Sequence, residues 1–357
     1  MDSTTLLLKE ITEVHGVAGY EKDVRELVHR KFDELHLQIQ QDKIGSLVAV
    51  KPGEADNPRV MLAGHMDEIG FMVKQISKEG YIKFLPLGGW FDQVLLGSRV
   101  VIKTRKGDVT GVIGVKPPHM LSQEERNKVV AKKDMYIDIG ATCQEEVEQA
   151  GVAVGDPIVP KAAFEVLANG KTLLSKAFDD RVGVAIMIDV ARNLAAEKHP
   201  NTVYCAATVM EEIGLRGAAT SVEIVNPDVA IVLEADIAGD VPGVTPDEST
   251  VKLGKGPTIV LYDARMIPNL ALRNLVMDTA KELDIPLQTS TIEGGATDGG
   301  MIHLHKTGVP TVVLGVASRH IHSQSCIMHR DDYDYAVRLV TALVKKLDQA
   351  TVKSLTQ

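Results

Sequence analysis

The chain has 357 residues, 45% of them hydrophobic and 24% charged, which is ordinary for a soluble globular protein and enough for one large α/β domain with a smaller companion. A formal net charge of -9 argues against nucleic acid or an anionic membrane surface as a partner. Cys143, Cys205 and Cys326 lie far apart with no C-x-x-C pair, which excludes a sulfur-based zinc site and fits reduced thiols. No apolar run approaches the roughly 20 residues a membrane helix needs. The acidic start Met1-Asp2-Ser3-Thr4-Thr5 is unlike the basic start of a signal peptide, so the expected location is cytoplasmic.

In chain order, Leu7, Leu8, Ile11 and Val14 recur at a helical period until Gly16-Val17-Ala18-Gly19 breaks it. A second helix is expected from about Glu21 to Leu35, with Val24, Leu27, Val28 and Phe32 on one face. Strands follow at residues 37–41, 46–50 and 60–64. From about Phe71 to Val159 the texture changes to short alternating strands, many glycines and few helical periods, as expected of a small inserted β-rich unit. Its Val109 to Ile113 run could offer a strand edge, and its Trp90, the only tryptophan, could serve either an interface or a core. Ser122 to Lys133 reads as a surface helix or loop. Helix and strand return near Phe178: a helix over 182–196, a strand over 202–209, and helices over 218–225, 270–283 and 332–347. The expected division is therefore 1–70 and 161–357 for the α/β domain, with 71–160 inserted.

Four apolar strands end in groups that bind metals or move protons. Val60–Gly64 runs into His65 and Asp67. Thr202–Val209 runs into Glu211 and Glu212. Val229–Leu233 runs into Glu234 and Asp236, and Pro310–Gly315 leads to His320 and His322. In open α/β sheets, ligands gather just beyond the carboxyl ends of strands. Asp179 and Asp180, ahead of the long helix, join this set. Histidine and carboxylate without cysteine suit zinc, cobalt or manganese. The donors are too many for one tetrahedral ion and about right for two ions sharing a carboxylate. An acid two residues after His65 could hold its imidazole in the metal-binding tautomer. Side chains of Glu211 and Glu212 diverge, so one can ligate while the other serves as a base. A paired-acid glycosidase is the rival enzymatic reading, but its acids must flank a bond and it leaves the histidines unemployed. A catalytically inactive, metal-stabilised binding oligomer is a third, and has no use for a base. His15, His29, His36 and His199 lack acidic company and are expected at the surface. His303 and His305 flank the glycine-rich run Gly294–Gly300, expected as a turn beside the substrate groove.

Ala63-Gly64-His65-Met66-Asp67-Glu68-Ile69-Gly70, Phe178-Asp179-Asp180-Arg181-Val182-Gly183, Glu211-Glu212-Ile213-Gly214-Leu215-Arg216-Gly217-Ala218 and Arg319-His320-Ile321-His322-Ser323 resemble the ordered motifs of the M42 metallo-aminopeptidases. This is the family of tetrahedral and glutamyl aminopeptidases, some of whose members carry endoglucanase names. The likeness spans nearly the whole chain, including Gly16-Val17-Ala18-Gly19-Tyr20-Glu21. It implies a mixed α/β sheet of the zinc-exopeptidase kind and a binuclear aminopeptidase with two divalent ions per chain, zinc or cobalt foremost. His65 and Asp236 would hold one ion, and Glu212 and His322 the other. Asp67 would orient His65, and Glu211 would be the general base. The bridging acid falls in Asp179-Asp180; Asp179 is favoured, because related enzymes use the acid just before a cis peptide bond. Where the family carries a tyrosine, this chain has His320, and Ser323 favours His322 as the ligand. The resemblance further implies peptide substrates, and a homo-oligomer built through the insert as dimers that close into a dodecamer. Any preference for an acidic N-terminal residue would need a cation, for which Arg216, Arg265 and Arg319 are candidates.

Overall fold

The computed structural model describes residues 1–356. Its centre is an 11-stranded mixed sheet whose middle is parallel: Thr202–Thr208, Arg59–His65, Val229–Ile237 and Thr311–Arg319 lie side by side. Their register sets His65 opposite Thr208, so the His65 and Glu211 segments leave the sheet at one level. Both faces of these strands are covered, which is why they read as continuous apolar runs. Alternation still divides them. Val60, Leu62, Val203 and Ile231 face the larger core, with helices Ser3–Glu13, Lys22–Glu34, Phe178–Asn193 and Arg330–Lys346. Met61, Ala63, Ala206 and Val232 face the smaller core, with Ala218 and Val222 of helix Arg216–Val225.

Strands Thr258–Asp263 and Gln288–Ile292, which have no clear period in the sequence, extend the sheet from Thr311–Arg319. Within the polar stretch after Leu121 the short helix Gln123–Arg126 forms, and a 3-10 turn over Lys132–Asp134 ends it. No helix among the described residues is long and apolar enough to cross a membrane.

Six strands between Gly70 and Pro160 close into a barrel with its own core of Phe71, Val73, Phe84, Ile102, Ile137 and Ile158. Closure pairs the Gly107–Gly114 strand with Arg99–Thr104 over residues 107–112 but with Tyr136–Asp138 only over 112–114, so Val109 and Thr110 keep one side without a strand partner, as the sequence led one to expect. Trp90 belongs to this core: it stacks on Phe71 at 4.8 Å and its Nε1 donates to the Gly70 carbonyl at 3.0 Å. Its neighbour Phe91 is 59% exposed instead.

Candidate metal centre

Asp179 stands between two histidines. Its Oδ1 lies 3.1 Å from His65 Nε2 and its Oδ2 3.2 Å from His322 Nε2. Glu234 completes the His65 side, 3.9 Å from the same nitrogen, and Glu212 the His322 side at 3.6 Å. The donor atoms of each trio, His65–Asp179–Glu234 and Asp179–Glu212–His322, lie within 4.8 Å of one another. Two such groups meeting on one carboxylate are the arrangement a pair of divalent ions needs.

The backbone around Asp179 is irregular. The Asp179-Asp180 peptide is cis, and both residues depart from helical geometry at the head of Phe178–Asn193. Asp180 turns inward: its Oδ2 accepts from the His65 amide and its Oδ1 from the Gly183 amide, both at 3.0 Å. Its oxygens are committed to the backbone, whereas those of Asp179 face the two imidazoles. Flanking this segment, the buried Lys176 and Arg181 converge on Glu68, with Lys176 Nζ 2.7 Å from Glu68 Oε1.

Asp236 does not join the centre, contrary to the expectation that it completes the His65 site. It is buried, and its Oδ2 accepts hydroxyls from both Thr258 and Ser290 at 2.5 Å. Glu234, two residues earlier on the same strand face, extends a longer side chain to His65 instead. Thr258 and Ser290 come from the two strands that the sequence did not announce, so the error had no visible signal.

Asp67 is fully buried beneath the turn carrying the two glutamates. Its Oδ1 accepts from the Glu211 amide at 3.0 Å and its Oδ2 from the Glu212 amide at 3.1 Å. Toward His65 it offers the backbone carbonyl, 3.0 Å from Nδ1, with the carboxylate at 3.4 Å. Either contact holds Nδ1 and leaves Nε2 facing Asp179. Glu211 belongs to neither trio, yet its Oε2 comes within 3.8 Å of His65 Nε2. Both adjacent glutamates thus face imidazoles, which a glycosidase acid pair does not require.

The electrostatics call for positive charge. Burial, reinforced by neighbouring acids, pushes Glu211 and Glu234 well above the usual carboxylate range and Glu212 up to about 8. Burial opposes charge on the imidazoles, but Asp179 and neighbouring acids outweigh it, holding His322 at about 9 and His65 well above its ordinary value. Those same imidazoles hold Asp179 below the usual range against its burial. Glu212 Oε1 is buried with no hydrogen-bond partner. Oxygen and imidazole donors gathered this densely, one with an unused oxygen, fit divalent cations.

A cleft of about 550 Å³ opens over the centre, lined by His65, Asp179, Glu211, Glu212, Glu234 and His322, and walled by residues 291–297 and Arg265. The first part of the Gly294–Gly300 run, to Thr297, thus lies at the cleft as expected, whereas Gly299 and Gly300 are buried in the short helix Gly299–Ile302. Arg319 is instead paired with Asp240 at 2.8 and 2.5 Å. His320 is exposed and outside both trios. His303 and His305 do not line the cleft; His305 packs between Glu223 and Asn226. His199 is buried, not at the surface, and its Nδ1 faces Asn201. Asp298, missed in the sequence, is fully buried below the cleft and accepts the Thr208 hydroxyl at 2.5 Å.

A mixed sheet with a barrel insert, whose parallel strands deliver two donor trios to one cleft, defines a binuclear metallohydrolase. The profile of the M42 glutamyl aminopeptidases matches residues 45–339. The fold superposes on a TET aminopeptidase from the marine sediment archaeon Thaumarchaeota archaeon SCGC AB-539-E09 with a TM-score of 0.97 and 48% identity, covering 99% of each chain. The glutamyl aminopeptidase of Lactococcus lactis subsp. cremoris (strain MG1363) is 34% identical over 97% of each chain. The TET1 peptidase of Pyrococcus horikoshii, described as able to assemble into a tetrahedron or a large octahedral shell, gives a TM-score of 0.87 at 34% identity over 97% of this chain and 100% of its own. The chain belongs to the M42 family of metallo-aminopeptidases.

Proposed function

We propose that the chain removes the N-terminal residue from peptides in the cytoplasm, with Asp179 shared between two ions. His65 and Glu234 would complete one site, and Glu212 and His322 the other. Zinc or cobalt suits these donors, and manganese is the third choice. Ions bound there would supply Lewis acidity toward the scissile carbonyl and make water a nucleophile at neutral pH. Glu211, placed at the cleft outside both donor trios, takes a proton from the attacking water and passes it to the leaving amine. Asp67 fixes the tautomer of His65 and the backbone of the glutamate turn. The observation that carries this reading is Asp179 facing both histidines across a cleft that also holds an uncommitted Glu211.

Residues 71–160 act as the dimerisation unit, and dimers close into a dodecamer after the fashion of the tetrahedral relatives. Phe91 at 59%, Leu96 at 41% and Val94 at 39% exposure give the barrel segment apolar surface to bury. A closed assembly would admit peptides and exclude folded proteins. Light scattering on metal-loaded protein tests it, and a stable, fully active monomer would overturn it.

A panel of aminoacyl-anilides assayed on apo protein titrated with zinc, cobalt and manganese tests the activity. Hydrolysis should saturate at two equivalents. Release of no amino acid at any loading would remove the aminopeptidase reading.

A further inference from the structure

We propose that Glu21 is a positioning residue for the general base, acting through the backbone of Met210; this rests on the reading of Glu211 as that base. Glu21 precedes helix Lys22–Glu34, nearly 190 residues upstream of the glutamate turn, and is only 5% exposed. Its Oε1 accepts from the Gly19 amide at 2.7 Å and from the Met210 amide at 3.1 Å. Together with Asp67, it accepts from three consecutive amides, those of Met210, Glu211 and Glu212. Two buried carboxylates from different parts of the chain thus hold the end of strand Thr202–Thr208.

The amide held by Glu21 is the one where the chain turns. Met210 has φ of 55°, a left-handed conformation that side chains other than glycine adopt only when their surroundings impose it. This turn ends the strand and sends Glu211 toward His65 and Glu212 toward His322. Without its acceptor the half-buried Met210 amide would lose its partner, and the turn would relax toward an extended path. The Glu211 side chain, next to the relaxed residue, would then shift over the cleft, while Asp67, still holding the Glu211 and Glu212 amides, would limit the movement and keep Glu212 beside His322.

Glu21 itself touches no substrate. It lines a separate cavity of about 360 Å³, walled by His15, Tyr20, Arg25 and Lys103, which shares no residue with the cleft over the metal centre. Its effect on the reaction therefore passes through the glutamate turn, and chiefly through Glu211, the residue next to Met210. The requirement is for an acceptor oxygen at that place, which an amide side chain of the same length also supplies.

The test is steady-state kinetics with metal analysis on the full-length, metal-loaded enzyme, using one aminoacyl-anilide. Glu21→Ala should lower kcat about tenfold to a hundredfold, the cost of misplacing a catalytic group by about 1 Å, with KM within about twofold and both ions retained. Glu21→Asp keeps a buried carboxylate but withdraws it by one methylene, and should lose kcat in the same way. It serves if Glu21→Ala yields no folded protein. Glu21→Gln should recover at least half of the kcat. Wild-type kcat in Glu21→Ala or Glu21→Asp, loss of metal in step with loss of rate, or a Gln variant as slow as the Ala variant would each overturn the inference. Glu211→Gln, run in parallel, separates the two readings. An inactive Glu211→Gln beside a fully active Glu21→Ala removes only the role of Glu21. A fully active Glu211→Gln removes the base, and the positioning role with it.

Discussion

Asp179 Oδ2 lies 3.2 Å from His322 Nε2, on a side chain whose other oxygen is turned to a second imidazole. Removing that carboxylate should disturb both sites, whereas removing either histidine should disturb one. Asp179→Ala is expected to retain no tightly bound ion after washing, and His322→Ala one of two, measured by elemental analysis. Retention of both ions by Asp179→Ala would exclude it as the bridge.

The two neighbouring glutamates should separate by phenotype. Glu211→Gln should keep both ions while kcat falls ~10²–10⁴-fold, the range for a lost general base. Glu212→Gln should lose an ion, because its carboxylate shares a site with His322 and Asp179. Metal content measured beside kcat decides it; the opposite pattern would exchange their roles.

Glu234 and Asp236 provide a paired test of the corrected ligand set. Glu234→Gln should weaken the His65 site, raising the free-metal concentration needed for half activity. Asp236→Asn should leave metal affinity unchanged and lower the melting temperature, because Asp236 secures Thr258 and Ser290 rather than an ion. Titration with zinc under a metal buffer, beside thermal melts, distinguishes the two.

Bound metal should also stabilise the fold, since the native state binds it far better than the unfolded chain. A chelator should lower the melting temperature, and re-addition of zinc or cobalt should restore it together with activity. A melt unaffected by chelation would speak against tightly held ions.

Asp2 gives a pH dependence whose sign follows from its contacts. The Arg330 guanidinium, 2.9 Å away, and the Thr5 amide at 2.8 Å hold its carboxyl below the usual range. A depressed acid stabilises the fold above its unfolded pKa, and that contribution is lost as pH falls through the native value. Asp2→Ala should therefore cost about 0.5–1 kcal/mol near pH 7, the lower part of the range for an N-cap, because the side chain is 60% exposed and its ion pair is screened. The difference from wild type should shrink once the pH drops below about 4. Denaturant melts at several pH values measure it.

The sequence alone marked the four strands at the middle of the sheet, since strands covered on both faces must be apolar throughout; that they run parallel was decided by the tertiary structure. The sequence also showed which strands end in His65, Glu211, Glu212 and His322, because a run of burial stops where charge begins. The change of texture near Phe71 likewise announced the β-rich insert. The choice between neighbours was different. Asp179 and Asp180 are adjacent, and Glu234 and Asp236 share a strand face, so periodicity gives each pair the same standing. Packing separated them: Asp180 met the amides of His65 and Gly183, and Asp236 met two hydroxyls from strands Thr258–Asp263 and Gln288–Ile292. Those strands are neither strongly alternating nor continuously apolar, and only pairing with Thr311–Arg319 and with each other defines them. Glu21 shows the same limit over a longer range. Nothing local marks an acid at a helix start as the partner of an amide at Met210, because that hydrogen bond exists only once the helix has packed against the sheet.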